Sequence, residues 1–199
     1  MAEEMRGGFR YVRGEPALLT LIAIAFVTTF FGLPLITLLP VFARDIFQGD
    51  IGLFSRMMVF VGAGSVLGAL VVAARGRFKH MALTLLLIEL LFGALIVGFS
   101  LSRTLWLSEL VLFLAGAAMM MVTATATSLV QLIVPDHLRG RVVSIFMVAF
   151  RGGMPLGALA SGYAASLVGT APVVLVNGII VSAAALCFLV TSHKTLARA

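Results

Sequence analysis

Residues 81–101 read MALTLLLIELLFGALIVGFSL, and Glu89 is the one charged residue in this stretch. An α-helix needs roughly 20 predominantly apolar residues to cross the hydrocarbon core of a bilayer. A soluble helix that is apolar all round would have to be buried by other protein on every side. The stretch therefore predicts a membrane-spanning helix.

Similar apolar blocks lie on both sides of this stretch. The chain is 61% hydrophobic and 11% charged, whereas a soluble domain carries about 25% charged residues. Cys187 is the single cysteine, so disulfides do not compensate for the missing charge. We predict an all-α integral membrane protein with a polar segment at 1–16, a tail at 193–199, and six spans at about 17–43, 51–74, 81–101, 105–134, 142–168 and 173–191.

The cations behind the net charge of +6 lie mostly in the two terminal segments and in the short segments between the spans. Lys and Arg concentrate on the cytoplasmic side of membrane proteins. The side of the two termini holds Arg6, Arg10, Arg13, Arg75, Arg77, Lys79, Arg139, Arg141, Lys194 and Arg198, and the other side holds Arg44 and Arg103. This bias predicts that both termini are cytoplasmic. Residues 1–16 have no apolar core, so they do not resemble a signal peptide.

Two short strings indicate an internal repeat. Residues 64–70 read GSVLGAL in the second span, and residues 153–159 read GMPLGAL in the fifth. These spans cross the membrane in opposite directions, and each is the middle helix of three. The pattern is typical of an inverted 3+3 repeat, which builds many transporter halves.

Small residues in these two spans are candidates for helix packing. Gly64 and Gly68, like Gly153 and Gly157, are four residues apart and fall on one helical face, where a neighbouring backbone can approach closely. Pro155 leaves a backbone carbonyl without its helical partner and permits a bend. Two interpretations stay open, namely helix packing alone or a helix that bends or slides between two halves of a transporter.

A family resemblance comes from three strings in this region and at the start of the chain. Residues 134–141, VPDHLRGR, and residues 150–157, FRGGMPLG, closely resemble the tenth-to-eleventh helix region of major facilitator drug and siderophore exporters, particularly enterobactin exporters and macrolide efflux proteins. Residues 8–13, GFRYVR, resemble the segment that leads into their seventh helix. The resemblance covers essentially the whole chain but only the second half of such a transporter. It implies one half of a major facilitator fold, with helices seven to twelve.

The resemblance also implies a function. Such proteins are secondary active transporters of the bacterial inner membrane, and this chain would be the C-terminal half of a proton antiporter. Its substrates would be amphipathic small molecules such as drugs or siderophores, and it would need no cofactor or metal. The chain would pair with an N-terminal six-helix half, on the same polypeptide or on another, or with itself. The alternative is a membrane-embedded structural or assembly subunit, or a truncated half without transport.

The basic loop at 75–79 resembles the cytoplasmic loop motif of the same superfamily. The family pattern has an acidic residue shortly before the basic cluster, where this chain has Ala73 and Ala74. The cations are therefore interpreted either as gating residues or as simple cytoplasmic anchors. The gating candidates in the two basic loops are Arg75, Arg77, Arg139 and Arg141.

Four ionisable residues fall inside predicted spans, where charge is costly and indicates function. Arg56 and Glu109 lie about 6–8 Å from the outer end, and Glu89 and Arg151 about 12–14 Å from the cytoplasmic end. Equal depth permits each pair to form, although the outer two residues can also reach interfacial water. We predict a binding, coupling or gating role for Arg151, and Glu89 is a candidate for a proton-titrating group.

Candidates for lining a substrate cavity lie in the fourth and first spans. Thr123, Thr127 and Gln131 share one face of the fourth span, and Met120 precedes them. Phe30 and Thr28 are the candidates in the first span. The same residues are also compatible with ordinary helix packing.

The sequence argues against an enzyme. Its three histidines lie in loops, and no serine or cysteine accompanies a plausible base. There is no nucleotide-binding loop and no metal-ligand spacing. A role in binding nucleic acid is not expected either.

Overall fold

The computed structural model describes residues 2–76 and 80–196, and the side chains of residues 7–76 and 80–191. These ranges contain helices and no strands. The helices are α1 (Ala2–Gly14), α2 (Pro16–Val27), α3 (Pro34–Asp45), α4 (Ile51–Arg75), α5 (Met81–Leu101), α6 (Leu105–Ile133), α7 (Arg139–Val168) and α8 (Thr170–Leu196), with a π-helical turn at Thr28–Gly32 between α2 and α3.

Six helical segments are long and apolar enough to cross a membrane, which confirms the predicted all-α fold with six spans. The first span is Pro16–Asp45 and consists of α2, the π-helical turn and α3. Helix α7 begins at Arg139, so Arg139 and Arg141 lie in its first turn and not in a loop. Helix α8 begins at Thr170, and Pro172 lies in its first turn, where the missing N–H of proline is tolerated.

The first span widens just before Pro34. The N–H of Leu33 donates to the carbonyl of Thr28 over 3.2 Å, five residues back. Proline has no N–H to donate and its ring crowds the preceding turn, so the helix takes up an extra residue there. The hydroxyl groups of Thr28 and Thr29 donate back to carbonyl oxygens one turn earlier, at 2.8 Å and 2.9 Å. Pro40 lies inside α3, which continues through it.

The packing of the six spans has the symmetry of the predicted repeat. Helix α4 packs on α6, and α7 packs on the first span. Helix α5 packs on α6, α8 packs on the first span, and α5 and α8 pack on each other. Exchanging the first three spans with the last three reproduces this set of neighbours. The chain is therefore built as two three-helix units.

Matching glycines of the two units contact matching partners. A Cβ at Gly64 would overlap the carbonyl of Phe113, and one at Gly68 would overlap that of Ala117. The backbones of α4 and α6 therefore touch along one full turn, which is the close approach that small residues permit.

The equivalent contact joins α7 to the first span. A Cβ at Gly153 would meet the side chain of Thr29 and the carbonyl of Phe26, and one at Gly157 would overlap the carbonyl of Phe30. The two carbonyls are four residues apart, as they are in α6. The glycines of α7 therefore lie directly against the widened part of the first span.

Two apolar clusters form the core. One includes Leu18, Leu86 and Phe146, and the other includes Phe42, Met57 and Phe99. The buried members of the clusters end at Ala25 and resume at Leu35 along the first span, and they end at Leu86 and resume at Phe92 along α5. The interval between them contains the buried polar side chains described next.

Candidate gating and coupling site

A buried carboxyl group lies beside the π-helical turn. Glu89 and Thr28 are each 1% exposed, and the Thr28 hydroxyl lies 2.8 Å from Glu89 Oε1. The same hydroxyl is 2.8 Å from the carbonyl of Ile24. Because a hydroxyl has one hydrogen, Thr28 donates to one of these oxygens at a time.

The second carboxyl oxygen of Glu89 is unsatisfied. Oε2 is buried and has no hydrogen-bond partner among the residues that the structure describes. A buried polar group without a partner costs roughly 1–3 kcal/mol. Intramembrane carboxyl groups that carry such a cost commonly serve transport. Glu89 is therefore the first candidate for a functional residue inside the bundle.

Helices on two sides hold the π-helical turn. On the α5 side, a Cβ at Gly32 would lie 2.5 Å from the ring of Phe92. On the α7 side are the contacts of Gly153 and Gly157. The turn cannot change its width without moving one of these neighbours, because the contacts involve backbone or a buried ring.

Arg151 points away from this cluster. Its side chain is exposed, and Glu89 is buried within the bundle, so the pair that equal depth permitted does not form. Gly153 faces the first span, and two residues along a helix turn the side chain by about 200°. Arg151 and Glu89 lie at similar depths, but Arg151 is on the side of α7 that faces away from the bundle. The two side chains therefore do not meet.

Arg151 lies deep within its span nonetheless. It is twelve residues after the first residue of α7, which corresponds to about 18 Å along the helix. In the part of the chain that the structure describes, no hydrogen bond or ion pair holds its guanidinium. Its charge is therefore available to a partner or a ligand outside the bundle.

The outer pair of charged residues does form. Arg56 Nε lies 2.5 Å from Glu109 Oε1 and joins α4 to α6. The side chain of Glu109 is 11% exposed and that of Arg56 is 54% exposed. The sequence left open whether Arg56 pairs with Glu109 or reaches interfacial water. In the structure Arg56 pairs with the acid and also extends towards the surface.

The basic gating candidates take different positions. Arg75 is exposed in the last turn of α4, and Arg77 lies outside the described residues. Arg139 forms an ion pair of 2.5 Å with Asp136. Arg141 is half-buried and lies against Gly8 of α1. The ends of four helices also meet at a cleft of about 440 Å³, which is lined by Gly76, Met81, Gln131 and Arg139 among others.

The candidates for a substrate cavity take different positions among the described residues. Thr123 and Thr127 are half-buried and donate to carbonyls of their own helix, at 3.0 Å and 2.7 Å. Met120 is also half-buried, and its carbonyl is the acceptor for Thr123. Gln131 lines the cleft beside Arg139.

The first-span candidates are elsewhere. Phe30 lines a separate apolar cleft of about 360 Å³ between the first span, α7 and α8. Thr28 is buried and faces Glu89. Gln131 and Phe30 therefore line two different clefts in the part of the chain that the structure describes.

Two contacts between helices were not anticipated from the sequence. Gly93 of α5 and Gly178 of α8 face each other's helices, where a Cβ on either would come within 3.0 Å of backbone. Asn177 Nδ2 donates to Ser161 Oγ over 3.0 Å and ties α8 to α7. Gly93 has Glu89 and Val97 four positions away, so spacing did not mark it, whereas Gly178 and Ser182 do have the four-residue spacing of small residues.

The comparison with protein families matches almost the entire chain. A family described as transmembrane secretion effector matches residues 1–197. No curated protein matches the chain. The family match spans all six membrane helices.

Proposed function

This chain belongs to the transmembrane secretion effector family of major facilitator transporters, and we propose that it forms one six-helix half of a secondary active exporter. Its membership makes it a multi-pass membrane protein that serves transport. The proposed substrates are amphipathic small molecules such as drugs or siderophores, and the proposed driving force is a proton gradient across the bacterial inner membrane. The strings at 134–141 and 150–157 support this branch of the family.

The position of Arg151 is the observation that carries the proposal. An exposed guanidinium halfway along a spanning helix would be costly against lipid. A water-filled pathway or a second transporter half would remove that cost. Helices α4 and α7 are also among the least covered spans, with 22% of their apolar stretch buried against 50% in the first span. We therefore propose that the exposed sides of α4 and α7 meet the other half of the transporter, which is either an N-terminal six-helix unit or a second copy.

Glu89 and Thr28 support proton coupling. Transfer of a carboxylate into an apolar interior is costly, so gaining or losing a proton there changes the stability of the surrounding packing. The Thr28 hydroxyl can donate to Glu89 or to the Ile24 carbonyl. We propose that proton binding at Glu89 switches this hydrogen bond and so biases the π-helical turn that α7 contacts.

Arg151 provides a direct test of the exporter proposal. Membrane vesicles would contain the chain with its six-helix partner, and efflux of ethidium, an amphipathic cation, would be followed after a proton gradient is imposed. We expect Arg151→Ala to insert normally and to lose export. Arg151→Lys should lose less, because it keeps the charge but not the planar guanidinium. Arg44→Ala, which removes an exposed arginine at the end of α3, is the matched control and should export normally.

Full export by Arg151→Ala at normal expression would refute the role of this residue. If the unmodified chain gives no efflux with any partner half, yet another membrane protein fails to assemble in its absence, the chain is an assembly subunit.

The orientation proposed here, with both termini in the cytoplasm, has its own test. Thr104 and His137 are exposed and lie at opposite ends of the bundle. Each would be replaced by cysteine in a Cys187→Ser background and treated with an impermeant maleimide on whole cells. Thr104→Cys should be labelled in intact cells, and His137→Cys only after the membrane is opened. The reverse pattern would overturn the orientation.

A further inference from the structure

A groove lies between one side of α1 and the membrane helices. It has a volume of about 700 Å³ and runs between α1, the first turns of α2 and the start of α7. Its wall is apolar except for two arginines. The residues used below are Phe9, Arg10, Arg13, Leu19, Ile22 and Ile145.

Helix α1 is fixed to the bundle on one side of this groove. A Cβ at Gly8 would lie 3.2 Å from the Cβ of Arg141 and 3.4 Å from the side chain of Ile145. Val12 is 4% exposed and belongs to the core. Phe9 remains 57% exposed and Leu19 45% exposed, on the two sides of the groove. The groove is therefore a fixed feature of the packing and not a gap beside a loose segment.

The rim of the groove is basic. Arg10 and Arg13 both line it and are exposed, and they are three residues apart, so they lie on neighbouring positions of one helical face. No ion pair or hydrogen bond joins either side chain to another residue in the described ranges. Glu15, the nearest acidic residue in sequence, is not among the residues that line the groove.

The apolar wall continues into the membrane. The first span begins at Pro16, so Leu19 and Ile22 lie about 5 Å and 9 Å along it. An amphipathic helix at a bilayer surface lies about 5–10 Å into the boundary between headgroups and acyl chains. The groove thus places two cations at headgroup level above an apolar channel, which matches the two chemical parts of a phospholipid.

We propose that this groove binds one anionic phospholipid. Its phosphate group lies between Arg10 and Arg13, and an acyl chain lies along Phe9, Leu19 and Ile22. Charge complementarity selects the anionic headgroup, since basic residues beside a membrane attract anionic lipids. This site depends on neither the substrate nor the direction of transport.

The test uses the full chain reconstituted in vesicles of phosphatidylcholine that contain phosphatidylglycerol as the anionic probe. The protein is then extracted in mild detergent, and the retained lipids are counted by native mass spectrometry. We expect one phosphatidylglycerol per chain. The double variant Arg10→Gln/Arg13→Gln should lose most of it, and Arg10→Lys/Arg13→Lys should keep it.

A matched control separates a site from general surface charge. Arg75→Gln/Arg139→Gln removes the same charge from exposed arginines at the same end of the bundle. It should retain phosphatidylglycerol as the unmodified chain does. Equal losses in the two glutamine variants would show a diffuse basic surface and overturn the proposal.

A second comparison tests the acyl channel. Glycerol phosphate, which carries the headgroup charge without a chain, should not displace the bound lipid. Displacement by glycerol phosphate would reduce the groove to an anion site, and equal retention of phosphatidylcholine would show no selectivity; either result overturns the proposal. Lipid retention is measured without transport, so its failure leaves the exporter proposal standing.

Discussion

Glu89→Gln should abolish proton-driven export while leaving the protein folded and inserted. Glutamine has the size of glutamate and can still accept the hydrogen bond of Thr28, but it cannot release a proton. We expect the variant to retain exchange of substrate across the membrane, because exchange needs no net proton movement. The measurement is ethidium efflux driven by a proton gradient, compared with equilibrium exchange of labelled ethidium in the same vesicles.

Glu109→Gln is the matched control for this variant. Glu109 is also an acid within a span, but it pairs with Arg56 at the outer end. Its replacement should reduce stability and leave export coupled to the proton gradient. Proton-driven efflux at the normal rate by Glu89→Gln would mean that Glu89 is structural, whatever the result with Glu109→Gln.

The hydrogen-bond partner of Glu89 gives an additional arm of the same experiment. Thr28→Val keeps the branched shape but removes the hydroxyl that lies 2.8 Å from Glu89 Oε1. Both carboxyl oxygens would then lack a partner, at a cost of about 1–3 kcal/mol. The double variant Thr28→Val/Glu89→Gln should be impaired less than the sum of the single changes, because the two residues act through one contact.

Gly157→Ala should destabilise the bundle by about 1–3 kcal/mol, the range found when atoms are forced into a packed interior. The added Cβ would overlap the carbonyl of Phe30, which is backbone and cannot rotate away. Gly157→Leu should have a larger effect. The measurement is the midpoint of thermal unfolding in detergent, together with the yield of inserted protein.

Gly162→Ala on the same helix is the control. A Cβ there meets nothing within 4 Å, so the substitution adds helix propensity without a clash. Its unfolding midpoint should be unchanged or higher. If Gly157→Ala and Gly162→Ala unfold alike, α7 does not lie against the first span as closely as the structure has it.

By depth along the helices, the sequence permitted two pairs of intramembrane charges. The structure has Arg56 paired with Glu109, and it has Glu89 in contact with Thr28 instead of Arg151. Depth was sufficient for Arg56 because it is a long side chain near the surface, where it can reach an acid on the next helix. It was insufficient for Glu89, whose contact depends on how α5 is rotated against the first span.

The widened turn at Thr28–Gly32 likewise depends partly on the local sequence and partly on packing between helices. The first span contains both Pro34 and Pro40, and proline interrupts helical hydrogen bonding wherever it occurs. The π-helical turn forms before Pro34 only. Its neighbours there are Phe92 on α5 and the glycines of α7. The position of the irregularity is therefore set by packing as well as by the proline.

By itself the sequence determined that this protein is a bundle of six membrane helices built as a repeat of three. Those properties follow from the apolar length of each span and from the spacing of its glycines. Both are properties of a single helix, so they can be read without knowing which helix packs against it. Only the tertiary structure decided that Glu89 meets Thr28, that Arg151 faces out of the bundle, and that α1 leaves a groove beside the first span. Each of these depends on how one helix is rotated about its own axis relative to another. Because successive residues are about 100° apart around a helix, a rotation by that angle would bring a different set of side chains to the contact.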